Sequence, residues 1–253
     1  VRRTWRAVDA GQRRRTEVSA GPRHIALVPA AGSGSRFGAA LPKQYTPLAG
    51  HPLLFHALAA LARHPRIDRV AVVLSAGDEW FASHDFTAIA GRLDVLRCGG
   101  DTRAESVRNG LRALEAHVDA HDWILVHDAA RPCLPAAVID RLIDTLADDA
   151  IGGIAALPVA DTLKRSDADS RIEATVPRAG LWAAQTPQMF RYGVLRDALE
   201  RCDLAVVTDE AGAVEALGHA PRLVEGDPAN LKVTYARDIA LATHLLQAME
   251  TST

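Results

Sequence analysis

Lysine is nearly missing from this 253-residue sequence: of its 29 basic residues only Lys43, Lys164 and Lys232 are lysine, and the other 26 are arginine. A compact ammonium acts as a point charge that a planar guanidinium does not replace in a tight site, so each lysine marks a position to follow. Cysteine is also scarce. Cys98, Cys133 and Cys202 are odd in number and lack C-x-x-C spacing, which argues against a disulfide framework or zinc cluster and fits a reducing compartment. No apolar run approaches the ~18 residues of a membrane span, and no stretch has the charged-apolar-small layout of a secretory signal. A protein working in the cytoplasm, away from membranes, is the expectation.

Neither sign of charge is in large excess, the formal net being −2, yet the distribution is uneven. Arg2, Arg3, Arg6, Arg13, Arg14, Arg15 and Arg23 face only Asp9 and Glu17 in the first 23 residues, leaving a basic tail on an acidic body. The acidic body argues against broad nucleic-acid binding, so any bound anion needs a local cluster of cations. Residues 1–22 lack sustained apolar periodicity and end near Ala-Gly-Pro; they are expected to be a disordered extension ahead of one domain over 23–253. A non-catalytic module binding polyanions through this tail is the reading from another functional class.

From His24 onward, short apolar runs alternate with helical patterns, the mark of an α/β fold with a parallel sheet and crossover helices. Strands are expected at His24–Pro29, Arg69–Leu74, Leu93–Cys98, Trp123–Val126 and Ile151–Val159. Leu54, Leu58 and Leu61 after Pro52 predict a helix. Thr102-Arg-Ala-Glu105 predicts a capping box opening a helix that buries Val107, Leu111, Leu114 and Val118. Further helices are expected over about 135–147 and 235–249, the last with Ile239, Leu246 and Met249 on one face. Thr162–Arg165 and Arg171–Val176, joined by Asp-Ala-Asp-Ser, predict a projecting β-hairpin arm within about 160–178, and a symmetric partner subunit would cover it.

The residues with chemistry lie after these strands, where open α/β sheets bind ligands. Pro29-Ala-Ala-Gly-Ser-Gly-Ser-Arg-Phe-Gly38, continuing to Leu41-Pro-Lys-Gln-Tyr45, offers backbone N–H groups for a polyphosphate, with Arg36 and Lys43 as full charges. Its G-x-G-x-x-x-G spacing is neither the dinucleotide fingerprint nor a P-loop. Gly99-Gly-Asp-Thr-Arg-Ala-Glu-Ser106 adds Asp101, Arg103 and Ser106 beside a helix start, and His127-Asp-Ala-Ala-Arg-Pro132 adds Asp128 and Arg131. Asp128 suits a cation or a sugar hydroxyl, or else caps the next turn; His127 reads equally as a structural histidine. Thr208-Asp-Glu-Ala211 and Asn230-Leu-Lys-Val-Thr234 follow, the latter expected in a short extended piece.

Together with the Gln185-Thr-Pro-Gln188 run, these ordered motifs resemble the 2-C-methyl-D-erythritol 4-phosphate cytidylyltransferase family over about 25–240. The resemblance implies a Rossmann-like, mostly parallel sheet of the nucleotide-diphospho-sugar transferase type with helices on both faces. It implies CTP and a phosphorylated polyol as substrates, Mg2+ as cofactor and a homodimer joined through the arm. By motif position Arg36, Lys43 and Lys232 are catalytic; Ala30, Ala31, Gly32, Gly34, Gly99, Asp101, Arg103, Ser106 and Ala129 hold CTP. Asp128, Arg131, Thr162 and Thr208 line the substrate site, joined by Arg178 and Thr186 from the partner's arm region. The metal ligands stay open, Mg2+ being carried mainly by the CTP phosphates. Gly212 stands where the family often has serine. Ribitol 5-phosphate is the alternative acceptor within the same chemistry.

Overall fold

The computed structural model describes residues 21–32 and 41–251. In chain order the elements are β1 (His24–Pro29), β2 (Pro47–Leu48), β3 (His51–Pro52), α1 (Leu53–Ala62), β4 (Arg69–Val73), β5 (Leu93–Leu96), α2 (Arg103–Leu114), β6 (Trp123–Val126) and α3 (Ala136–Leu146). There follow β7 (Gly152–Pro158), β8 (Leu163–Ser166), β9 (Ile172–Val176), β10 (Trp182–Arg191), α4 (Tyr192–Arg201), α5 (Glu210–Ala216), β11 (Arg222–Glu225) and α6 (Asp238–Thr251). The main sheet runs β11-β7-β10-β6-β1-β4-β5, with β10 antiparallel to both neighbours and every other pairing parallel.

Strand alternation divides the core into two layers. Ala26 and Val28 of β1 join Leu54 and Leu58 of α1 and Leu142 of α3, whereas Ile25 and Leu27 join Val107 of α2, Leu195 of α4 and Val214 of α5. Strands buried on both faces read as continuous apolar runs, which explains why β1 and β6 are so legible in the sequence. The capping box of α2 is present in both directions, with Glu105 N donating to Thr102 Oγ1 at 3.1 Å and Thr102 N to Glu105 Oε2 at 3.0 Å.

Several expected boundaries move, each for a local reason. The strand predicted to reach Cys98 ends at Leu96, where the chain turns back and Gly99 N bonds Leu74 O at 2.9 Å. Helix α2 stops at Leu114, so half-buried Val118 packs from beyond it. Helix α6 begins at Asp238, whose carboxylate accepts the N–H groups of Thr234 and Tyr235 at 2.7 and 2.8 Å and so holds the preceding turn out of the helix. The segment around Lys232 forms no strand; Val233 N instead anchors it to Ala130 O at 2.8 Å.

The sequence pattern did not reveal β10, the longest strand. Pro187 and two glutamines interrupt its alternation, and the ladder with β7 shifts register between Ala184 and Gln188. The Thr186–Pro187 peptide bond is cis. Strands β8 and β9 pair antiparallel as a separate, largely exposed two-stranded sheet.

Candidate active site

Strand order sets the site. From β1 the sheet grows one way through β4 and β5 and the other way through β6, so the C-terminal ends of β1 and β6 flank a topological switch point. There the described residues bound a cleft of about 260 Å³. It gathers Ala30, Ala31, Gly32, Lys43, Asp101, Arg103, Ser106, Asp128, Ala129 and Lys232 from segments far apart in sequence. A larger depression of about 1230 Å³ lies at the opposite strand ends, around Asp119, His121 and Arg191. Arg191 there spends its guanidinium on the carbonyls of Ala147, Asp149 and His121, and the other charges of that depression are mainly carboxylates, so the cations suited to a polyphosphate belong to the smaller cleft.

The first wall is the turn after β1. Ala30 N bonds Val73 O at 2.8 Å, and Gln44 donates to Ala30 O at 2.9 Å, fixing the turn from both sides. A 3-10 turn at Lys43–Tyr45 carries Lys43, whose ammonium donates to Val233 O at 2.6 Å, beside Lys232. Gly34 and Arg36 lie outside the described residues. Gly99 packs behind this wall: a Cβ there would stand 2.2 Å from the Ala31 Cβ, so only glycine lets the two loops approach. Gly99 is thus the partner of a cleft residue and not itself part of the lining. Ser106, 2% exposed, accepts from Gly100 N at 3.1 Å and donates to Thr102 O at 3.0 Å, shaping the turn before α2.

The ionic centre is Asp128. Its Oδ1 accepts from Arg103 Nε at 2.9 Å and its Oδ2 from Lys232 Nζ at 2.8 Å, with Arg131 Nε 3.8 Å away. Burial alone would raise its pKa, but the charges of Arg103, Lys232 and Arg131 outweigh it and hold the carboxyl well below the usual range. Asp128 is therefore a permanent anion already neutralised by cations, suited to accepting a hydroxyl hydrogen bond and ill suited to proton abstraction near neutrality.

Beneath it, Asp128 N donates to Thr186 Oγ1 at 3.0 Å, and Thr186 Oγ1 lies 3.0 Å from His127 Nδ1. His127 Nε2 faces Arg131 O at 3.0 Å. A carbonyl only accepts, so Nε2 carries the proton and Nδ1 accepts from the threonine hydroxyl. Burial lowers the His127 pKa to about 4, so the ring is neutral and structural. Thr186 is 5% exposed and sits in β10 of this same chain, under the Asp128 loop and away from the hairpin region expected to reach a partner. Arg131 lies behind Asp128, with one terminal nitrogen on Asn230 O at 2.6 Å; burial lowers its pKa.

Thr162, Arg178 and Thr208 are exposed and do not line the cleft. Arg178 borders a separate shallow depression of about 710 Å³ with Trp182. Sequence reasoning passed over Glu210, which is 1% exposed and takes both terminal nitrogens of Arg103 at 2.5 and 3.0 Å. It stands inside the T-D-E-A motif, but an acid followed by alanines looks like an ordinary helix start until the fold buries it. Gln185, Gln188 and Asn230 are likewise buried and hydrogen-bonded around the site.

Among the described residues no three His, Cys, Asp or Glu side chains gather as a metal cage. Of the two carboxylates that line the cleft, Asp128 is spent on Arg103 and Lys232, which leaves Asp101 as a donor. That donor set fits Mg2+, which keeps waters and substrate phosphate oxygens and takes one or two carboxylates, better than a cation needing an all-protein cage.

Comparisons with known proteins agree with this geometry. A family model described as 2-C-methyl-D-erythritol 4-phosphate cytidylyltransferase matches residues 24–248. The chain is 61% identical over 227 residues to the protein of that name from Dechloromonas aromatica, covering 90% of this chain and 99% of the relative. It is 57% identical over 226 residues to the one from Chromobacterium violaceum, covering 89% and 99%. A crystal structure of a 4-diphosphocytidyl-2C-methyl-D-erythritol synthase superposes with a TM-score of 0.78 at 44% identity, covering 89% of this chain and 98% of that one. The Francisella tularensis cytidylyltransferase gives 0.74 at 32% identity, covering 88% and 99%.

Proposed function

The chain belongs to the 2-C-methyl-D-erythritol 4-phosphate cytidylyltransferase family and is a cytidylyltransferase, and on that premise we propose the following division of labour in its cleft. CMP passes from CTP to the phosphate of 2-C-methyl-D-erythritol 4-phosphate, giving 4-diphosphocytidyl-2-C-methyl-D-erythritol and pyrophosphate. The observation that carries the reading is the convergence of Lys43 and Lys232 with the post-β1 turn: Lys43 bonds Val233 O at 2.6 Å, and the adjacent Lys232 bonds Asp128 at 2.8 Å.

The attacking phosphate monoester has a second pKa near ~6 and is largely dianionic at neutral pH, so no general base is needed. The obstacle is bringing an anion to an anion. Lys43, Lys232 and, by motif position, Arg36 supply positive charge where negative density grows on the α-phosphate. The turn at Ala31–Gly32 presents backbone N–H groups to the phosphates, and the Gly100–Ser106 turn, with Asp101 and Arg103, faces the nucleoside beside Ala129. Asp128, with Arg131 behind it, faces the polyol phosphate, and Arg178 joins it from the partner's arm region; Thr162, Thr208 and the buried Thr186 do not line the cleft of this chain. Asp101, with the oxygens of the triphosphate, would hold Mg2+, which would supply positive charge against the phosphates.

We further propose a homodimer in which β8 and β9 reach the neighbouring subunit. Support comes from their exposure and from Ile172, an apolar residue left 68% exposed on β9. A cytoplasmic location is supported by three free cysteines, and among the described residues no helix is long and apolar enough to cross a membrane. Family membership favours methylerythritol phosphate over ribitol 5-phosphate and displaces the polyanion-binding module; of residues 1–22, where that reading and the expected disorder rested, 1–20 lie outside the described residues.

The test is pyrophosphate release from CTP and Mg2+ with either polyol phosphate, for wild type and Lys43→Ala. Methylerythritol phosphate is the expected acceptor, and Lys43→Ala is expected to lower kcat about a hundredfold or more. Turnover of ribitol 5-phosphate alone would overturn the choice of substrate.

A further inference from the structure

Arg103 is pulled two ways. Its Nε bonds Asp128 Oδ1 at 2.9 Å, while the end of its fork bonds Glu210 at 2.5 and 3.0 Å. A guanidinium presents two bidentate edges, one at its end and one along its side. Here Glu210 takes the end edge and so fixes the plane and tilt of the guanidinium, and in that pose only Nε bonds Asp128, through Oδ1. Glu210 does not move to suit Arg103. Asp209 caps α5 by accepting from Gly212 N at 3.0 Å and is gripped by Gln188 Nε2 at 2.9 Å, while Gln188 Oε1 accepts from Ala211 N at 2.8 Å. These bonds lock the first turn of α5, and Glu210 with it, to the buried strand β10.

The consequence lies at Asp128 Oδ2. Lys232 Nζ bonds this oxygen at 2.8 Å, and Arg131 Nε, at 3.8 Å, is without a hydrogen-bond partner. Were the Arg103 fork released, its side edge would grip both oxygens of Asp128 and compete with Lys232. We infer that Glu210 is a positioning residue for nucleotidyl transfer: by holding the end of the Arg103 fork it limits Arg103 to one oxygen of Asp128 and reserves the other for the Lys232 ammonium. The inference rests on Lys232 acting as a catalytic cation. Nothing in it requires Glu210 to touch either substrate; it is 1% exposed, and Arg103, Asp128 and Lys232 stand between it and the reacting phosphates.

The experiment is a kinetic cycle of wild type, Glu210→Gln, Lys232→Ala and the double variant, with kcat and the KM for CTP measured for each. Glu210→Gln is expected to lower kcat about tenfold or more, the scale of a small misplacement in an active site, while KM changes less than about twofold. In the Lys232→Ala background the same substitution is expected to change kcat less than about twofold, because the group it positions is gone. Equal losses in both backgrounds would overturn the inference and make Glu210 a structural acid. Lys232→Ala with wild-type kcat would instead retract the catalytic role of Lys232 itself. Glu210→Asp, which keeps the charge but shortens its reach to the Arg103 fork, repeats the cycle should Glu210→Gln lower the yield of folded protein; it is expected to show the same dependence on Lys232.

Discussion

His127 is fully enclosed, and its neutral ring links the Asp128 loop to β10 through Thr186. With its folded pKa depressed by burial to about 4, the unfolded chain, whose histidine titrates near ~6.5, binds the proton more tightly between those values. Stability contributed by the neutral ring is therefore complete above about pH 6.5 and lost as pH falls toward 4, by roughly 3 kcal/mol. Urea titrations at pH 7 and pH 4.5 should show this drop, and it should shrink in His127→Gln. Asp128 behaves differently: its pKa lies below the usual carboxylate range, so it stays ionised over the interval in which His127 takes up its proton.

At the scale of elements, helix α2 shows how closely the site's support is packed. Gly110 sits mid-helix, where glycine costs helix stability, because the helix crosses the sheet at close range: a Cβ there would lie 2.7 Å from Val73 Cγ2 and 3.0 Å from Leu27 Cδ1. Gly110→Ala gains helix propensity, yet the clash with two core side chains should win, for a net loss of about 1–2 kcal/mol. Thermal unfolding checks the loss, and kcat should stay near wild type because Gly110 lies beyond the cleft lining. The helix itself was legible from Thr102, Glu105 and its apolar spacing. Strand β10 was not, because Gln185 and Gln188 are buried for hydrogen bonding and their polarity hides the strand's period.

For the whole molecule, the β8–β9 sheet stands apart from the main sheet and is largely exposed. A two-stranded hairpin is marginal alone in water, and this one carries exposed Ile172. Sedimentation should give a dimer for the intact chain. Replacing residues 163–176 with a short Gly-Ser link should give a folded monomer with its turnover lost, while an unchanged dimer would place the interface elsewhere.

The sequence by itself determined the buried strands β1, β4 and β6, the capped start of α2, and most of the charged cleft, including Lys43, Asp101, Arg103, Asp128 and Lys232. These are readable because each strand is apolar on both faces and each motif follows a strand end, where ligands gather in such sheets. Tertiary structure alone decided that Thr186 lies beneath the Asp128 loop, that Glu210 is buried against Arg103, and that Gly99 is there to admit Ala31. The physical reason is separation: Arg103 and Glu210 stand 107 residues apart, and whether an acid is solvated or paired depends on which segments the sheet order brings together.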